Sequence, residues 1–69
     1  MKKEVSGKRF EKIIRDRGCR RIAARGELCV YVNPNSPNLR IVFRASSWLL
    51  AEAEQRRLME LFGLTDADL

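Results

Sequence analysis

Apolar residues recur along this chain with two different periods, and the change of period divides it into elements. Phe10, Ile13 and Ile14 fall on one face of a helical wheel while Lys8, Lys12 and Arg15 point the opposite way, the pattern of a helix that buries one side and shows cations on the other. Ser6 is a good N-cap, and Val5 before it with Phe10 after it fit the hydrophobic staple that fixes a helix entry. The spacing predicts a first helix from Gly7 to Arg17, ended by Gly18.

From Cys19 to Arg44 the period becomes two. Leu28, Val30 and Val32 alternate with Cys29 and Tyr31, and Leu39, Ile41 and Phe43 alternate with Arg40, Val42 and Arg44, as in half-buried strands. The first set of each reads as the core face, which leaves Tyr31 on the opposite face. The segment from Cys19 to Ala24 alternates poorly and is read as a further strand, followed by a tight reversal at Arg25-Gly26. The six residues from Asn33 to Asn38, rich in Pro and Asn, form the second connection. With the reversal so placed, Cys29 faces Ile22 and Cys19 faces Val32, out of register for a disulfide across the hairpin.

Ser46 or Ser47 caps a second helix running to about Phe62 and closed by Gly63. Leu50, Ala51, Leu58, Leu61 and Phe62 make its apolar face, with Trp48 and Met59 at the edge, and Glu52 to Arg56 is a favourably oriented pair one turn apart. Thr65 to Leu69 reads as a frayed tail. The order α-β-β-β-α implies an α+β fold in which a three-stranded antiparallel sheet carries both helices on one face and leaves the other open.

At 69 residues the chain has room for one hydrophobic core and one domain. Two cysteines are too few for a disulfide framework, and neither sits in a C-x-x-C pair, so they read as small buried hydrophobes and no metal or cofactor is expected. Glu4 and Ser6 stand where the apolar region of a signal peptide would begin, and no apolar run approaches a membrane span, so a cytoplasmic protein without membrane contact is expected. Charge changes the picture more. Residues 1–25 hold ten Lys or Arg against three acids, whereas residues 26–69 hold four against six. A basic patch confined to one part of a fold is the electrostatic footprint of a polyanion-binding protein.

The chain resembles the HicA family of bacterial toxins. The residues that carry the resemblance are Ser6-Gly7-Lys8 with Phe10 and Ile13-Ile14, then Gly18 and Arg25-Gly26 at the family's spacing between its two glycines. It continues in the strand ending Tyr31-Val32-Asn33-Pro34, and in Leu58 to Gly63-Leu64-Thr65. The resemblance implies a double-stranded-RNA-binding-domain-like fold, cleavage of messenger RNA, and neutralisation by a HicB antitoxin that covers the active site. The family's catalytic histidine follows Gly-Ser; here the stretch is Gly26-Glu27-Leu28, and the chain contains no histidine at all. Histidine is the side chain whose unperturbed pKa suits taking a proton from a ribose 2′-hydroxyl. Glu27 would replace it only if deeply buried, whereas a residue at a hairpin tip is expected to be solvated; an active ribonuclease using Glu27 and an arginine is kept as a third reading because the family cuts RNA. No catalytic residue is therefore carried over, and an RNA-binding domain that does not cut is expected.

The cations that remain are Lys8, Lys12 and Arg15 on the first helix, with Arg20, Arg25, Arg40 and Arg44 on the strands or at their ends. They form the expected RNA-contacting set, able to hold phosphates but offering little to read base sequence. Arg20 and Arg21 are adjacent on a strand and should face opposite sides. Tyr31, on the face opposite the core, is a candidate for stacking on a base. The alternative is a protein-binding module that engages a HicB-like antitoxin or another acidic protein through the same cations, with Trp48 and Met59 as an apolar anchor.

Overall fold

The computed structural model describes residues 3–69. Helix α1 (Gly7–Asp16) is followed by strands β1 (Arg20–Arg25), β2 (Leu28–Asn33) and β3 (Ser36–Arg44), helix α2 (Glu52–Phe62) and a short 3-10 turn over Asp66–Asp68. The strands form one antiparallel sheet in the order β1-β2-β3. The expected α+β order is the observed one.

The first helix starts as its sequence requires: Ser6 Oγ accepts from Arg9 N at 3.0 Å, and Val5 and Phe10 are both buried. Phe10, Ile13 and Ile14 of α1 meet Leu58 and Phe62 of α2 over Tyr31, Ile41 and Phe43 of the sheet in a single cluster. At its centre Phe10 packs edge-on to Phe43 with ring centroids 5.4 Å apart, and Tyr31 stacks on Phe43 at 5.7 Å. Aromatic pairs of this geometry contribute about 0.5–1.5 kcal/mol beyond their area.

Several expectations need correction. Both hairpins turn elsewhere than expected. Arg25 pairs with Leu28, so the first reversal is Gly26-Glu27, with Gly26 at φ +60° in the first of its two central positions. This glycine-first pattern matches the twist of a two-residue hairpin. The second is a tight turn at Pro34-Asn35, where Asn33 Oδ1 accepts from Asn35 N at 3.0 Å, and β3 begins at Ser36. Asn33 faces Ser36 while Val32 faces Arg40, so residues 37–39 have no opposite number on β2. Pro37 lacks the N–H a ladder would need and fits that stretch. In this register Cys29 faces Ala24 and Arg20 faces Val32, and both cysteines are free and buried.

The core face of β2 is also the reverse of the expected one. Cys29 and Tyr31, opposite Phe43 and Ile41, point into the core, and Leu28, Val30 and Val32 line the open face. Helix α2 starts at Glu52, with Ala51 at its N-cap position and no side-chain cap, rather than at Ser46 or Ser47. The backbone of residues 46–50 is instead held against the segment entering α1: Lys8 N donates to Ser46 O at 2.9 Å, Gly7 N to Trp48 O at 3.2 Å, and Leu50 N to Val5 O at 2.9 Å. Finally, the tail is docked rather than frayed. Leu64 and Leu69 are buried, Thr65 and Asp68 make a reciprocal capping box, and Arg17 pairs with Asp68.

Candidate nucleic-acid interface

The register sorts the strand cations by face, because directly opposed residues in an antiparallel pair share a side of the sheet. On the open side lie three rows: Arg20, Val32 and Arg40; Ala23, Val30 and Val42; Arg25, Leu28 and Arg44. Four of the predicted cations, Arg20, Arg25, Arg40 and Arg44, thus converge at the corners of one surface whose middle is apolar. Leu28 and Val42 are each more than two-fifths exposed there. Arg44 is partly compensated by Glu27, 3.4 Å away across the exposed hairpin end. Glu27 is therefore a surface ion-pair partner, without the burial a substitute base would need.

Lys8, Lys12 and Arg15 form a second, separate surface. All three are exposed on α1, whose apolar side packs on the core face of the sheet, so they look away from the open sheet face. At 1.5 Å rise per residue they span about 10 Å of helix. Lys12 is 4.0 Å from Asp16, an exposed pair of little energetic weight; Lys8 and Arg15 make no ion pair among the described residues. The seven expected contacts are not one field but two.

Arg21 points to the core side, as its neighbour's placement requires. It lies opposite Tyr31 and 3.8 Å from the Glu11 carboxylate, which accepts from the Tyr31 hydroxyl at 2.5 Å. Tyr31 is fully buried and so is no stacking platform. Burial, together with the hydrogen bond to Glu11, raises its pKa well above the ordinary tyrosine value. This triad fixes the sheet to α1. Cys29 is equally withdrawn: its thiol donates to Phe43 O at 3.4 Å, and burial, reinforced by the Glu11 charge, pushes its pKa up to about 11. A thiol so shielded is inert as a nucleophile. Among the described residues no group of His, Cys, Asp and Glu is arranged to hold a metal ion, and no helix is long and apolar enough to cross a membrane.

The exposed aromatic residue is Trp48, expected at the rim of the core. It is 79% exposed, with Leu49 beside it at 59%, on the loop bonded to the first turn of α1. The helical spacing of apolar residues runs back from α2 to Trp48 and so puts it on a helix edge in the sequence, whereas α2 starts only at Glu52. Comparison with family models, curated proteins and solved structures finds no match to this chain.

Proposed function

We propose that this chain is an RNA-binding domain, HicA-like in its motifs, that holds RNA without cutting it. The observation that carries the reading is the distribution of uncompensated charge. Among the described residues Lys8, Arg9, Arg15, Arg20, Arg25 and Arg40 have no anionic partner, whereas Arg56 and Arg57 of α2 are matched to Glu52 and Glu54 at 3.2 and 2.7 Å. The surplus is concentrated in the first two-thirds of the chain and faces solvent. The outer side of α1 suits a phosphate backbone better than the sheet does, because its apolar residues are all buried and its cations are opposed there only by the weak, exposed pair of Lys12 with Asp16. Binding without cutting is supported by the absence of histidine and by the solvated position of Glu27.

The test is a titration with fluorescent single-stranded and duplex RNA at 50 and 200 mM salt, with integrity checked on a gel. Each phosphate contact contributes about 0.7 to the logarithmic salt slope for single strands and about 0.9 for duplexes. Replacing Lys8, Lys12 and Arg15 together by Ala should lower the slope by about 2 to 3. An unchanged slope rejects this face, and cleavage by the purified chain rejects the silent reading.

The open sheet face favours a second reading, in which a HicB-like antitoxin or other acidic protein docks. Arginines surround Leu28, Val30, Val32 and Val42 there, the arrangement of an apolar centre within a polar rim. An acidic protein that co-purifies in equal amount with the wild type and is lost from Val30→Glu would support it.

A further inference from the structure

We infer that Trp48 is a stacking platform for an unpaired base, so that the RNA held along α1 is single-stranded where it meets the start of that helix. The inference rests on the RNA-binding reading above and deepens it by naming the substrate class.

Three observations converge. First, Trp48 is exposed on a loop that is held in place. The Trp48 backbone N–H donates to Ser46 Oγ at 3.3 Å, Ser46 is buried, and Ser6 and Leu49 form a bridge. Backbone bonds from Gly7, Lys8 and Leu50 pin both sides of the tryptophan to the chain entering α1. The indole's exposure is a product of this anchoring and not of fraying. Second, the loop sits against the first turn of α1, where Lys8 begins the cationic row. Lys12 and Arg15 follow about 6 and 10 Å further along the axis. A strand whose base lies on the indole has cations for the phosphates that continue from it. Third, the N–H groups of that first turn are already used, by Trp48 O, Ser46 O, Ser6 Oγ and Ser6 O. The helix end therefore offers no free donors to a phosphate, and the side chains of the row carry the charge contact.

Base stacking needs a base out of its pair, and it is tolerant of sequence because every base has a π face. Lys8, whose backbone is bonded to Ser46 O, and Arg9 beside it are unpaired among the described residues, which favours an anionic strand over an apolar protein surface at this point.

Trp48 is the chain's only tryptophan, so its emission reports on this site alone. The probes are an eight-nucleotide oligoadenylate, a sixteen-base-pair RNA duplex and polyglutamate, each at low salt. Saturable quenching by oligoadenylate is expected, with weaker or no quenching by the duplex. Trp48→Ala should weaken oligoadenylate binding about 5- to 100-fold, leave duplex binding as it was, and leave the urea midpoint unchanged because the side chain is solvated. Trp48→Phe should fall between. If oligoadenylate binds without quenching and equally well to Trp48→Ala, stacking is overturned while the RNA-binding reading stands. If neither RNA binds, that reading fails and the inference with it. Quenching by polyglutamate but not by RNA overturns the inference in favour of a protein partner.

Discussion

Replacing Gly7 by Ala tests how the loop that carries Trp48 is seated on α1. A methyl group at this position would overlap Arg44 O outright and would meet Ser46 N at 2.8 Å and the Ala45 Cα at 3.0 Å. All three are backbone atoms, which cannot swing aside as a side chain can. Gly7 does not have a positive φ, so alanine carries no dihedral penalty, and helix propensity alone would favour it by up to about 1 kcal/mol. The sign of the change therefore separates the two effects. Relief of the overlap must push α1 and the segment after β3 apart, at a cost of about 1–3 kcal/mol for overpacking. It also endangers the bonds from Gly7 N to Trp48 O and from Lys8 N to Ser46 O, at about 1 kcal/mol each. A net loss of about 2 kcal/mol follows, which for a domain of this size lowers Tm by about 8–16 °C. Urea unfolding followed by far-ultraviolet circular dichroism measures the loss, and Trp48 emission of the folded protein reports whether the loop has moved. An equal or higher midpoint with unaltered emission would refute the close approach.

Two further predictions concern the core. Tyr31→Phe removes the hydroxyl that donates to Glu11 at 2.5 Å and leaves that carboxylate with Arg21 at 3.8 Å; a loss of about 1–3 kcal/mol is expected, and a double replacement with Glu11→Leu should recover part of it, so a neutral Tyr31→Phe would show the bond to be unimportant. Alkaline pH should destabilise the fold. The Cys29 thiol is raised from 9.0 to about 11 by burial, so its contribution is complete below about pH 9 and is lost as pH rises through about 11, with Tyr31 acting in the same direction above its ordinary value of 10.0. The urea midpoint at pH 10.5 should lie below that at pH 8, and Cys29→Ala should flatten part of the difference; a flat wild-type profile would contradict the burial of both groups.

The element order was legible because each period was long enough to read, but the sidedness of two strands was not. In β2 both faces are apolar, Leu28, Val30 and Val32 on one and Cys29 and Tyr31 on the other, so alternation alone names no inner face. The information lay in β3, where Ile41 and Phe43 alternate with Arg40 and Arg44. It passes to β2 only through the register, Tyr31 to Ile41 and Cys29 to Phe43. In β1 the poor alternation has a specific cause. An irregularity between Arg21 and Ala23 leaves Ile22 without an opposite number, so inward and outward parity changes partway along the strand. A period of two cannot survive that interruption.

The same register explains why the candidate site divided. Counting cations along the sequence treats Lys8 and Arg20 alike, because both precede residue 26 and both are exposed. The fold places a complete layer of sheet and core between the outer side of α1 and the open side of the strands, and even its shortest Cα extent is 19 Å. A ligand contacting one set flatly leaves the other free. The two surfaces also differ in kind: α1 shows charge with its apolar residues withdrawn, whereas the sheet shows arginines around exposed aliphatic side chains. Phosphate recognition needs only the first arrangement, and a protein core-and-rim interface needs the second. Under the proposed function, with RNA on α1 and an acidic partner on the sheet, the two ligands should bind together without competition, and competition between them would refute that assignment of faces.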